Sequence, residues 1–278
     1  WMAPLTIQLH RVLEKLDSVL LAPLRPLLRH DKLILVPHGL LHQLPFHLLR
    51  SENRYLLERC ESRIVPTARL VQREGRAPQP GSTGQTVVVS HSWDGQLQQA
   101  LAEGRMVAEI LGGATLLEGK TATRAALLEL MRGANILHIA AHGEHRPDAP
   151  HFSHIHLEDG LLNAADLFLL SLRASLVTLS ACDTGQVQVR AGDDPVGLWR
   201  GFLAAGAQSL LVALWQLEDE SALQLMRHFY ETLMASVPKV AALRSVQQAW
   251  LASAEGRLAH PFYWGALQLI GDDGPLLR

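Results

Sequence analysis

The segments Ile136-Leu137-His138-Ile139-Ala140-Ala141-His142-Gly143 and Leu176-Val177-Thr178-Leu179-Ser180-Ala181-Cys182-Asp183-Thr184-Gly185 decide the reading of this chain. Each is an apolar run of strand length, and each breaks off in a polar turn with glycine. In a parallel α/β sheet, reacting groups gather just beyond the carboxyl ends of the strands. His142 and Cys182 stand at those two ends. An imidazole and a thiol so placed can meet at one edge of the sheet. His138 lies inside its run and reads as a core residue.

The flanks sharpen this. Asp183, Thr184 and Gly185 form a polar turn rather than core, so a thiol at Cys182 is accessible, and the amides of the turn can donate to an oxyanion. Gly143 lets backbone approach closely and adds a further N–H. A neighbouring imidazole can activate the thiol or protonate a leaving amine.

Outward from these segments, strands and helices alternate. Thr86 to Ser90 predicts a strand, and Leu97, Ala100, Leu101, Val107, Ala108 and Leu111 predict a helix stopped by Gly112-Gly113. A short strand at Thr115 to Leu117 and a helix from about Thr121 to Met131 follow. Beyond the histidine run, Ile155 to Leu162 reads as a hairpin turning at Glu158-Asp159-Gly160, and Asn163 as the cap of a short helix. A helix from Val196 to Ala205 leads to a strand from Ser209 to Trp215. Helices near 221–235 and 239–253 precede a last strand at Ala266 to Ile270. Upstream, Leu5 to Leu20 is helical in spacing and stops at Pro23 and Pro26. Residues 74–85 read as a loop. The pattern predicts an α/β fold with a mostly parallel sheet covered on both faces. It predicts an N-terminal subdomain over 1–80 and a core over 85–278.

Composition excludes several classes. The 278 residues are 48% hydrophobic, enough for a substantial core. A net charge of −2 gives no basic face for nucleic acid. No apolar run reaches the length of a membrane helix, and the N-terminus has no signal-peptide pattern. Cys60 and Cys182 are the only cysteines. That is no disulfide scaffold, and a reducing cytoplasm is the expected setting, with Cys60 a buried inert thiol. The first residue is Trp1, so upstream domains are expected.

Further blocks accompany the two segments: Leu35-Val36-Pro37-His38-Gly39, Leu41-His42-Gln43-Leu44-Pro45-Phe46, Phe202-Leu203-Ala204-Ala205-Gly206-Ala207, Leu214-Trp215 with Glu218-Asp219-Glu220, and His260-Pro261-Phe262-Tyr263-Trp264. From about residue 30 onward the chain resembles the CHAT domain, the caspase-like peptidase domain related to caspases and separases. Caspase-type proteases place their histidine roughly 50 residues before the cysteine; here the separation is 40. The resemblance implies a caspase-like three-layer α/β sandwich and a cysteine endopeptidase with His142 and Cys182 as its dyad. The oxyanion donors would be the amides of Gly143 and Cys182, and no cofactor is needed. It implies a protein substrate, an upstream regulatory repeat domain or activator, and no direct nucleic-acid or membrane partner. The rival expectation is a catalytically silent interaction module of the same fold, within a regulatory or defence assembly.

For substrate binding, Trp215-Gln216-Leu217-Glu218-Asp219 resembles the separase loop that carries an acidic residue for a P1 arginine, with Asp219 at the matching position and Glu218 beside it. The competing reading is that these carboxylates favour the N-terminus of the following helix. Asp183 is a second acidic candidate. With a basic P1, Arg190 is a point of self-cleavage. Six histidines (138, 142, 145, 151, 154 and 156) crowd one region without a familiar ligand spacing or a cysteine pair, so no metal site is expected. Gly113 to Gly119-Lys120-Thr121 has five intervening residues where a phosphate loop needs four.

Overall fold

The computed structural model describes residues 2–71, 84–180, 188–190, 194–253 and 255–276. Eleven of its strands matter for the site. They are β1 (Lys32–Leu35), β2 (Glu61–Ile64), β3 (Gln85–Ser90), β4 (Thr115–Glu118), β5 (Ala134–Ala140), β6 (Gly143–Glu144), β7 (His154–Leu157), β8 (Gly160–Asn163), β9 (Leu176–Leu179), β10 (Ser209–Ala213) and β11 (Leu267–Gly271). The main helices are α1 (Met2–Leu20), α2 (Gln98–Leu111), α3 (Arg124–Leu130), α4 (Leu198–Ala205), α5 (Asp219–Met234) and α6 (Lys239–Ser253).

Eight strands form one sheet in the order β1-β2-β11-β10-β9-β5-β3-β4. Among the described residues six of its seven pairings are parallel, and β10–β11 is the antiparallel one. The N-terminal segment thus supplies β1 and β2 to one edge of the same sheet. Both sequence segments that open the reading become central neighbours, β5 and β9. Every residue of β5 and of β9 is buried, because helices cover the sheet on both sides.

Successive side chains along a strand point to opposite faces, and each face finds its own helices. Val87, Val89, Leu137, Ile139 and Val177 pack with Leu127 of α3 and Trp199 and Phe202 of α4. Val88, Ile136 and Leu176 pack with Val107 of α2, Phe229 and Tyr230 of α5 and Val246 of α6. Gly104 brings α2 against β3, since a Cβ there would lie 2.5 Å from the Cβ of Ser90.

Several element boundaries differ by a few residues from the sequence expectation, two of them for a visible reason. The helix predicted from Thr121 begins at Arg124, because Thr123 is its N-cap and accepts from the amide of Ala126 at 3.2 Å. The strand predicted to Trp215 ends at Ala213, and the indole N–H of Trp215 donates to the carbonyl of Phe262 at 2.9 Å instead of continuing a ladder. The hairpin forms as expected: β7 and β8 pair antiparallel, and the two-residue β6 extends them to a three-stranded sheet.

Candidate active site

β5 and β9 pair in parallel with His138 opposite Thr178 and Ile139 opposite Leu179. The ladder continues past β9, where the amide of Ser180 donates to the carbonyl of Ile139 at 3.0 Å. Beyond Ala140 the chain leaves the large sheet. Its backbone is caught by the small one: Gly143 pairs with Ile155, Glu144 with His154, and the amide of His156 donates to the carbonyl of His142 at 2.8 Å. His142 is therefore fixed by two sheets at once, and its half-buried ring stands past the carboxyl ends of β5 and β9.

Trp93 supplies a platform for that ring. It sits in the turn after β3, with φ values of +47° at Trp93 and +55° at Asp94. These left-handed conformations are costly for residues with a Cβ. The turn is closed by Gln96 N–H to Trp93 carbonyl at 3.1 Å and Leu97 N–H to Ser92 carbonyl at 2.9 Å. The indole stacks on His142 with ring centroids 3.8 Å apart and planes within 2°. His156 packs near the same imidazole, 5.0 Å between centroids and tilted by 42°. Burial holds the pKa of His156 below the usual histidine value, and the neighbouring His154 and His142 push it the same way.

His138 is a core residue, fully buried beneath the site. Its Nδ1 lies 3.1 Å from the Tyr230 hydroxyl, which donates to Thr178 Oγ1 at 2.7 Å. A phenol that donates to Thr178 accepts from Nδ1–H, so Nε2 of His138 faces the carboxylate of Glu103, 3.1 Å away and also buried. The chain Glu103–His138–Tyr230–Thr178 ties α2, β5, α5 and β9 together in the layer under the site. Burial raises the pKa of the Tyr230 hydroxyl, which keeps it a donor.

A cleft opens between α2 and the start of α5. Ala141, Ser180, Leu97, Leu217, Glu103 and Asp219 line it. Two of these six are carboxylates. Burial raises the pKa of Asp219; a hydrogen bond from the Gln99 backbone opposes this, and the charges of Glu103 and Glu218 add to it.

Of the residues expected from sequence, His142 and Gly143 lie at this edge and Asp219 lies in the cleft. Glu218 does not line the cleft; its carboxylate pairs with Arg257 at 2.9 Å and accepts from Ser221 at 3.2 Å. Cys182 and Asp183 fall outside the described residues. So does part of the loop around Arg190, which itself ends a short strand, Gln188–Arg190. Cys60 is half-buried, and burial raises its thiol pKa. No helix among the described residues is long and apolar enough to cross a membrane.

Three residues were missed in the sequence. Trp93 has a signal, an aromatic residue in a Ser-Trp-Asp-Gly turn directly after a strand of the sheet. Glu103 has another: it lies three residues after Ala100 and four before Val107, so a carboxylate sits on the apolar stripe of α2. The role of His156 beside His142 had only the hairpin register behind it.

The fold is that of the caspase-like cysteine peptidases. The structure of the Saccharomyces cerevisiae separase–securin complex superposes over 86% of this chain and 15% of that one, with a TM-score of 0.62 and 14% identity. The complex of Porphyromonas gingivalis RgpB pro- and mature domains superposes over 97% of this chain and 69% of that one, with a TM-score of 0.60 and 10% identity. The chain belongs to the CHAT domain family, whose pattern it matches over residues 10–272. It is also 28% identical to tetratricopeptide repeat protein 28 of Homo sapiens over 327 aligned positions, and to the Mus musculus protein at the same level. The match takes in 94% of this chain and spans 13% of the length of those relatives.

Proposed function

We propose that this chain is a cysteine endopeptidase with His142 and Cys182 as its dyad. The observation that carries the reading is strand register. His138 and Thr178, paired across β5 and β9, are 40 residues apart, and His142 and Cys182 are separated by the same 40 residues. Cys182 follows Ser180, the last residue tied to the β5 ladder, by two residues, a reach of at most about 7 Å.

The chemistry follows from those positions. The Cys182 sulfur, deprotonated by His142, attacks the scissile carbonyl carbon. The resulting oxyanion accepts hydrogen bonds from the backbone amides of Gly143 and Cys182. His142 passes its proton to the amine as the C–N bond breaks, leaving a thioester on Cys182. Water then attacks the thioester, His142 takes its proton, and release of the carboxylic acid restores the thiol. No cofactor enters these steps.

The acidic cleft favours a basic P1 side chain. Asp219 and Glu103 offer acceptor oxygens in a partly dehydrated setting, where a guanidinium gains charge-assisted hydrogen bonds. Asp183, three residues after the cleft-lining Ser180, is the further acidic candidate; Glu218, paired with Arg257, does not line the cleft. The physiological substrate is a protein, and the tetratricopeptide-named relatives favour control by an adjoining repeat region or activator. A reducing, cytoplasmic setting keeps the Cys182 thiol available.

A positional peptide-library digest by wild type, Cys182→Ala and Asp219→Ala tests this reading. Cleavage after basic residues, abolished by Cys182→Ala and weakened by Asp219→Ala, is the expected result. A wild-type chain that folds and cuts no peptide, with cellular function intact in Cys182→Ala, would favour an interaction module instead.

A further inference from the structure

The hairpin that holds His142 carries a second constellation of chemistry-bearing side chains. Glu144 on β6 pairs directly across from His154 on β7, so the two side chains share a face of the small sheet. His156 lies two residues beyond His154, and alternation along the strand returns it to that same face. One ligand atom from each of Glu144, His154 and His156 lies within 4.8 Å of the other two. The histidine spacing that looked uninformative in the sequence is an i, i+2 pair on a strand, completed by a carboxylate from the neighbouring strand.

The donor atoms are aimed for a cation. Nδ1 of the buried His154 lies 2.8 Å from the carbonyl of Phe152. A carbonyl only accepts, so Nδ1 carries the proton and Nε2 presents its lone pair. That backbone carbonyl is the kind of outer partner that orients metal-bound histidines. Nε2 of His154 lies 3.2 Å from Nε2 of His156 and 3.7 Å from Oε2 of Glu144. Tetrahedral zinc with bonds of 2.0–2.1 Å to nitrogen needs donor atoms about 3.3 Å apart. Arg146, the cation nearest to Glu144, stands 3.9 Å from its other oxygen and pairs more closely with Asp148, at 3.0 Å. Glu144 is exposed, which leaves an entry path from solvent.

We propose that Glu144, His154 and His156 bind a zinc-class divalent cation. Two imidazoles and one carboxylate match borderline ions such as Zn²⁺ and Co²⁺ rather than the oxygen-seeking Mg²⁺ and Ca²⁺. Three protein ligands leave a fourth position for water. The site adjoins His142 through the ring of His156, and its existence does not depend on the peptidase reading.

Metal-free protein titrated with ZnCl₂ by calorimetry, and with CoCl₂ by visible absorption, tests the proposal. The expected result is one equivalent bound, no competition from Mg²⁺, and a tetrahedral cobalt spectrum without a thiolate band. Glu144→Gln and His154→Ala should each weaken zinc binding by at least about tenfold, the lower end of what losing even an outer partner costs. His151→Ala and Cys182→Ala should bind as wild type does. Circular dichroism checks that His154→Ala folds, and the exposed Glu144→Gln decides if it does not. Zinc binding that is absent in wild type, or that survives Glu144→Gln but disappears in Cys182→Ala, overturns the proposal.

Discussion

The imidazole of His142 lies flat on the indole of Trp93, centroids 3.8 Å apart and planes within 2°. The two residues come from turns after different strands, β3 and β5, which are neighbours in the sheet. A stacked ring limits rotation of the imidazole. Trp93 is thus a positioning residue for the proposed dyad, and its left-handed backbone is the strain that presents the indole there.

Trp93→Ala should lower kcat/KM about five- to tenfold, the worth of one aromatic pair. Trp93→Phe should restore most of it, because a phenyl ring keeps the stacking surface. Steady-state cleavage of a fluorogenic peptide measures both. Equal activity in all three proteins would remove Trp93 from the site.

Cleft specificity separates two carboxylates. Asp219→Asn and Glu103→Gln should each reduce cleavage after arginine by about 10- to 100-fold, with little effect on a substrate carrying an uncharged P1. Glu218→Gln should leave the ratio of the two rates unchanged, since Glu218 pairs with Arg257. Glu103→Gln should also cost stability, because it disturbs the buried 3.1 Å contact with His138. Thermal unfolding alongside the kinetics distinguishes the two effects.

His47 makes the fold sensitive to acid. It is buried, its Nε2–H donates to the carbonyl of Gly265 at 2.7 Å, and burial lowers its pKa to about 4. The unfolded chain protonates this group near its ordinary value of 6.5, so between there and the folded pKa the unfolded state binds more protons. Its stabilisation is therefore complete above that ordinary value and declines as pH falls, by at most about 1.4 kcal/mol per unit. Urea midpoints at pH 7 and pH 5 should show wild type losing about 2 kcal/mol more than His47→Gln. An identical loss in both would assign the acid sensitivity elsewhere.

Helix α2 presses on β3 where Gly104 meets Ser90. Gly104→Ala should destabilise by about 1–3 kcal/mol through overpacking, despite alanine's better helix propensity. Relieving the contact in the double variant with Ser90→Gly should recover part of that loss. Chemical denaturation of the three proteins is the measurement.

Much of this was legible locally. The strands β5 and β9 are visible as uninterrupted apolar runs, because a strand buried on both faces has no polar side to show. The hairpin from β7 to β8 is visible in its Glu158-Asp159-Gly160 turn. His142, Gly143 and Asp219 follow from their positions after strand ends and before a helix. Glu218 was less legible, because adjacent carboxylates at a helix start look alike until one of them finds Arg257. The proposed cation site had no signal in the sequence for a related reason: residues split between β6 and β7 have no single sequence spacing.

Periodicity and turn chemistry act over a few residues, and they alone define the α/β alternation, the paired core strands and the edge at which His142 stands. Which side chains surround that imidazole is a matter of sheet order and register, set by burial summed over the whole chain. Trp93, Glu103 and the Glu144–His154–His156 group reach their places only when β3, α2 and the small sheet close around β5, so no local pattern announces them.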